Sequence, residues 1–203
     1  MSLNPVEHSV LDAIAARWSP YRFEPRIVEP EKLIQCFEAA RWAASSYNEQ
    51  PWSFLLAQRE NDDSFKRMLA CLMEANQVWA QNAGVLVLTV INTRFKRGGK
   101  PNRVALHDLG QAAAHFALQA TALGLQVHQM GGVNLSKIRH EYEIPQGYEP
   151  QTALALGYPD QSEPSGESAV ELKQRESGPR ARLPVREMVF SDKWGDSANF
   201  GAP

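Results

Sequence analysis

The stretch Ala39-Ala-Arg-Trp-Ala-Ala-Ser-Ser-Tyr-Asn-Glu-Gln-Pro-Trp52 runs from small residues through a polar turn directly into an apolar segment. Upstream, Leu33, Phe37, Ala40 and Arg41 recur at the three-to-four spacing of a helix with one buried face, which predicts a helix to about Ala44. Ser45, Ser46 and Asn48 then supply hydroxyl and amide groups just past its end, and Pro51 forbids its continuation. Trp52-Ser-Phe-Leu-Leu-Ala57 carries the aromatic and aliphatic side chains of a strand, predicted to Gln58. The result is a helix-to-strand corner with free backbone N–H groups. Such a corner can hold a flat polar ligand, but taken alone it reads first as an ordinary loop.

Outward from this corner the chain alternates helices of uneven length with strands. Ser9 is the expected N-cap of a first helix with Val10, Leu11, Ile14 and Ala15 on one face, stopped by Arg17-Trp18-Ser19-Pro20. Glu29-Pro30-Glu31 opens the second helix, with proline in the first turn and acids at the positive dipole end. Asp62-Asp63-Ser64 is expected to cap a third, with Phe65, Met68, Leu69, Leu72 and Met73 inward, and Gly84 to Thr93 reads as a buried strand. Arg94 to Pro101 is a basic loop. A helix is predicted from about Arg103 to Leu123, apolar almost all round and so deep in a core or in a subunit contact. Gln126 to Met130 is a short strand, Asn134 caps a helix with Ile138 and Tyr142, and Thr152 to Gly157 is another buried strand. Gln161 to Glu167 reads as a flexible connector opening a polar tail over about 161–203. That tail carries Lys173, Arg175, Arg180, Arg182 and Arg186 and ends in the apolar run Met188-Val189-Phe190. With helices outnumbering strands and no regular βαβ period, an α+β layer fold is favoured over a doubly wound sheet. Gly98-Gly99 and Gly131-Gly132 lack the spacing of classical dinucleotide and P-loop sites.

The 203 residues suit one domain, residues 1–203, large enough to bury roughly 70% of the surface its unfolded chain exposes. A formal charge of −2 offers no field for nucleic acid or an anionic membrane, and the acids Glu171, Glu176 and Glu187 interleaved in the tail argue against a nucleic-acid arm. Cys36 and Cys71 have no nearby Cys or His partner and read as reduced core thiols; no ligand-spaced metal cluster is expected. The longest apolar stretch, Gly84 to Ile91, is far too short to span a bilayer, and the first residues lack a leader pattern. The expectation is a soluble, cytoplasmic protein.

Four segments, in this order, resemble the FMN-dependent nitroreductase family. Arg17-Trp18-Ser19 resembles the family's Arg-x-Ser element after the first helix, and the Ser45 to Trp52 corner its next turn. Ala122-Leu123-Gly124-Leu125 with Gln129-Met130-Gly131-Gly132 is similar to its helix, strand and glycine turn. Arg180-Ala181-Arg182-Leu183-Pro184 is similar to its basic-x-basic-Leu-Pro element. The resemblance covers roughly residues 8 to 190. It implies a three-layer α+β fold, with a central mixed or antiparallel sheet flanked by helices, in an interlocked homodimer. It also implies bound FMN, NADH or NADPH as hydride donor, and a ping-pong reduction of nitroaromatics, quinones or similar flat electrophiles. Arg17, Ser19, Arg180 and Arg182 would hold the phosphate, with Trp18 and Tyr21 beside the cofactor. Ser45, Ser46 and Asn48 would approach the flavin from the second protomer, and Ala44 would also contact the cofactor. Asn76 would meet the polar edge of the ring, and Gln129, Met130, Gly131 and Gly132 would back it, glycine allowing close backbone approach. No side chain is assigned as catalytic, since the cofactor carries the electron transfer; His107, His115 and His128 read as structural.

Two positions depart from the family pattern. Relatives often have a basic residue two places after the serine and a lysine three places after the asparagine, where this chain has Tyr21 and Trp79. Arg22, one step later, is the candidate to replace the lost cation, or else backbone dipoles do so. A non-catalytic flavin-binding protein, and other flavin chemistry such as reductive dehalogenation or flavin breakdown, are the alternatives; the Arg94 to Arg103 loop is short for the lid the latter would need.

Overall fold

Val85–Asn92 (β2) is apolar on both faces, and all but its last residue are buried, as a strand covered on both sides requires. Trp52–Gln58 (β1) pairs with it on one side, from Trp52 opposite Ile91 to Gln58 opposite Val85. Tyr148–Gly157 (β4) pairs on the other, and Gln126–Met130 (β3) closes the far edge, giving the order β1-β2-β4-β3 with every pair antiparallel. The structure is a computed structural model that describes residues 4–201; the first three residues of the stretch read for a leader, and the last two of the tail, lie outside it. The register slips between Leu88 and Val90, and the buried Thr89 hydroxyl is satisfied there by Thr152, whose N–H donates to Thr89 Oγ1 at 3.0 Å.

Alternation along the strands sorts side chains into two cores. Val85, Val87, Val127, Leu154 and Leu156 face Pro30–Arg41 (α2) and Ala105–Ala122 (α5), whose Leu33, Cys36, Ala112 and Phe116 complete that layer. Leu86, Leu88, Val90, Met130, Ala153 and Ala155 face the opposite way. There Phe65 and Met68 of Asp62–Leu69 (α3), Trp79 of Glu74–Ala80 (α4) and Ile138 of Leu135–Glu141 (α6) meet them. This is a three-layer α+β arrangement. Cys36 and Cys71 are both buried and unpaired, and burial pushes the Cys36 thiol up to about 12.

Several element boundaries differ from expectation. The first helix (α1) is only Asp12–Ala16, entered at Leu11 rather than capped by Ser9; Val10, Leu11 and Ile14 are exposed and Ala15 alone of that face is buried. The helix before the corner, α2, stops at Arg41, and Arg41 itself is solvent-exposed, paired with Glu38. Asn61, not the Asp62-Asp63-Ser64 run, caps α3 by accepting the Ser64 N–H, and α3 ends at Leu69. Leu72 then bridges to Val133 and the Met73 N–H donates to Gly132 O, so the chain re-aims and starts α4, leaving Met73 exposed. Asn134 caps α6 as expected, through Lys137 N–H. Within the polar tail, Glu167–Ser177 forms a helix (α7).

Candidate functional site

Arg17 follows the last residue of α1 in extended conformation, so the chain Arg17 to Tyr21 runs out of the helix towards the tail that returns after α7. Arg17, Trp18, Ser19 and Tyr21 thereby line one cavity of about 300 Å³ with Arg180 and Arg182. That volume is at the low end for ligand pockets, roughly 300–1,000 Å³, and suits one end of a larger ligand. Arg17 Nη1 donates to Ser19 Oγ at 3.3 Å, and Arg180 donates to Asn4 Oδ1. Burial, then the charges of Arg182 and Arg180, depress the pKa of Arg17. Among the described residues no carboxylate forms an ion pair with any of these three arginines. The buried Trp18 Nε1–H beside them has no acceptor. Three guanidinium groups that repel one another line a cavity in which none of them is ion-paired, an arrangement that can accept an oxygen-rich anion.

Three more side chains that the sequence did not offer as ligand-facing line the same cavity: His128, Arg175 and Glu176. The His128 Nδ1–H donates to Pro20 O at 2.8 Å, the tautomer being set because a carbonyl only accepts. Its ring lies 4.4 Å from that of Trp79 and 4.7 Å from that of Tyr21. Burial lowers the His128 pKa, the Pro20 bond opposes, and Arg175 and Arg17 add to the lowering, so the imidazole is neutral at pH 7. The positions where relatives carry cations are thus an aromatic cluster of Tyr21, Trp79 and His128. Arg22 is buried outside the cavity lining, and its Nη2 donates to Asp160 Oδ2 and Ser162 O, each at 2.7 Å.

The remaining expected residues lie elsewhere on this chain; none of Ala44, Ser45, Ser46, Asn48, Asn76, Gln129, Met130, Gly131 and Gly132 lines that cavity. Asn76 Nδ2 donates to Gly132 O at 3.0 Å, and a Cβ at 132 would lie 2.5 Å from that nitrogen, so only glycine allows this approach. Met130 is buried in the core, and Gln129 is exposed on the strand face opposite His128. Ala44 is exposed at the entrance to the turn. Ser45 Oγ accepts the Gln50 N–H at 3.0 Å, and Tyr47, Asn48 and Gln50 all have positive φ, near 50°. This turn is fixed by a residue the sequence did not single out: Asp108, 2% exposed on α5, accepts the Ser46 N–H at 3.1 Å.

The geometry has counterparts in known proteins. The family model described as the Nitroreductase family matches residues 14–158. A crystal structure of an oxidoreductase containing FMN superposes with a TM-score of 0.85 at 30% identity, covering 96% of this chain and 97% of that one. A nitroreductase family protein from Clostridium difficile 630 superposes with a TM-score of 0.69 at 23% identity, over 92% and 99% of the two chains. In sequence, a protein of Methanothermobacter thermautotrophicus, provisionally named NADH dehydrogenase/NAD(P)H nitroreductase, is 26% identical over 156 residues, 74% of this chain and 77% of that one. The match to the family model spans well over half of the chain and includes the Arg17-to-Ser19 element and all four strands, and on that ground this chain belongs to the nitroreductase family of oxidoreductases.

Proposed function

We propose that this chain is an FMN-dependent oxidoreductase that takes hydride from NADH or NADPH and passes it to a nitroaromatic, quinone or similar flat electrophile. The proposal treats residues 1–203 as one FMN-binding unit acting in the cytoplasm as a homodimer. The observation that carries it is the cavity that Arg17, Arg180 and Arg182 line together with Ser19, where among the described residues no carboxylate is ion-paired to the three arginines. That donor set fits a phosphate: guanidinium forks match its oxygens in pairs, and the Ser19 hydroxyl adds a neutral bond. FMN in the 30% identical structure supports the same choice of ligand here.

When bound, FMN supplies the two-electron exchange between a nicotinamide and the acceptor. The chain's own groups bind and orient. Arg17, Ser19, Arg180 and Arg182 hold the phosphate, Trp18 and Tyr21 flank it, and Gly132 with Asn76 offers a surface that polar ring atoms can approach. Gln129, Met130 and Gly131 complete the backing of the ring. Ala44, Ser45, Ser46 and Asn48 reach the flavin of the other protomer. The dimer is supported by the exposed Ile34 and Trp42 at α2, Tyr47 in the turn and Leu106 on α5, apolar side chains that a second copy would cover. No side chain is assigned as acid or base, because the cofactor would carry the electron transfer. The name of the M. thermautotrophicus relative supports a nicotinamide donor. Among the described residues no helix is long and apolar enough to cross a membrane.

Anaerobic mixing tests this reading. Loaded with FMN and mixed with NADH or NADPH, the protein is expected to lose its flavin absorbance and to recover it on adding a quinone. Flavin that stays oxidised with both nicotinamides identifies a flavin carrier instead of an enzyme.

A further inference from the structure

The three arginines come from distant parts of the chain, and like charges do not gather unaided. Something must dock the tail beside Arg17. Among the described residues the only carboxyl group lining the cavity is Glu176, and it forms no ion pair with the arginines. Its Oε1 accepts the N–H groups of both Tyr21 and Arg22, at 2.8 and 2.7 Å, across more than 150 residues of sequence. Its Oε2 is buried with no partner. The neighbouring Arg175 lies 4.3 Å over the Tyr21 ring. Glu176 is also the penultimate residue of α7, where the negative end of the helix dipole disfavours an anion. The helix end and the unpartnered oxygen disfavour the carboxylate here, the two N–H bonds favour it, and what those bonds achieve is to pin the end of α7 to the segment that carries Arg17 and Ser19, four residues before Arg180.

We infer that Glu176 is a positioning residue that latches the end of α7 onto the Tyr21-Arg22 backbone and so holds Arg180 and Arg182 in register with Arg17 for the phosphate of the ligand. This rests on the flavin reading of the cavity. The latch acts on the phosphate end alone, so its loss weakens discrimination between FMN and riboflavin, which differ only in that phosphate. A residue needed merely for folding or for shaping the ring site would weaken both ligands together.

The test titrates wild type, Glu176→Ala and Glu176→Gln with FMN and with riboflavin by flavin fluorescence. In wild type FMN is expected to bind more tightly than riboflavin. In Glu176→Ala that preference falls by about tenfold or more, the scale of one hydrogen bond to a charged group, while riboflavin affinity changes little. Glutamine keeps an acceptor oxygen for the two N–H groups, so Glu176→Gln retains the preference to within about threefold. Should alanine prevent folding, Glu176→Asp, one methylene short of the two donors, is read in the same way as alanine. An unchanged preference in the alanine or aspartate variant, an equal loss for both flavins, or a glutamine variant as impaired as alanine each overturns the inference. A wild type that binds neither flavin overturns the reading of the cavity, and the inference with it; a wild type that prefers FMN isolates the latch.

Discussion

The residues that define the cavity differ in what they do to the protein's stability. Burial raises the pKa of Glu176, opposed by the bonds from the Arg22 and Tyr21 N–H groups and by the charges of Arg22 and Lys173. A carboxyl group whose pKa is higher in the folded than in the unfolded chain binds its proton more readily when folded. Its ionised form therefore weakens folding above that range, and acidification through the raised pKa relieves the penalty. Glu176→Gln is accordingly expected to raise Tm at pH 7, by roughly 1–3 °C for a chain of this size, with the gain shrinking as pH falls towards 4. Thermal unfolding across that pH range checks the sign; a gain that grows on acidification contradicts it. Arg182 behaves oppositely, since it contributes nothing to the core and stands exposed. Arg182→Ala is predicted to leave Tm unchanged or raised while FMN affinity drops about tenfold or more, with a weaker dependence of binding on salt. Arg17, Ser19, Arg180 and Arg182 were picked out because the short stretches Arg17-Trp18-Ser19 and Arg180-Ala181-Arg182-Leu183-Pro184 resemble two elements of the family. Glu176 and Asp108 were not, because each is bonded to backbone N–H groups far away in sequence, and no side-chain pattern records such a partner.

Elements were legible wherever burial imposes a period. β2, α5 and β3 emerge within two residues of their expected limits because their apolar faces have partners on the sheet. α1 and the break between α3 and α4 were not legible. The apolar residues before α1 resemble a helix face but stand exposed, and the spacing of Phe65, Met68, Leu69, Leu72 and Met73 continues through a break that is set by a contact with Gly132 and Val133. α7 carries little apolar pattern, yet its Glu167-Ser-Ala-Val-Glu-Leu-Lys-Gln-Arg-Glu-Ser177 composition is rich in strong helix formers, a signal that propensity alone offers. The 3₁₀ turn at Ser46–Asn48 depends on α5 through Asp108. Asp108→Ala is expected to speed amide hydrogen exchange over residues 45–50 by about tenfold, the weight of one backbone bond to a carboxylate, while Asp108→Asn, which keeps an acceptor, changes it little. Equal protection in wild type and the alanine variant removes Asp108 from this role.

At the scale of the molecule, the sheet brings the two ends of the chain to one side: the segment after α1 is joined to β3 by the His128–Pro20 and Gln126–Trp18 bonds, and the tail returns to it through Glu176. The α+β layering and the order of motifs follow from the sequence, and the antiparallel pairing throughout the sheet is a structural finding. Neither the turn at Ser45 to Asn48 nor Gly131-Gly132 lines the arginine cavity. The central claim, that one FMN is gripped at its phosphate by Arg17, Ser19, Arg180 and Arg182 and touched by two chains, is tested most directly by a crystal structure grown with FMN. The account predicts the phosphate within hydrogen-bond reach of those four side chains, the ring against Gly131 and Gly132, and Ser45 or Asn48 of a second copy at the ring. A phosphate bound away from Arg17 and Arg182, or a flavin contacted by a single chain, would contradict it.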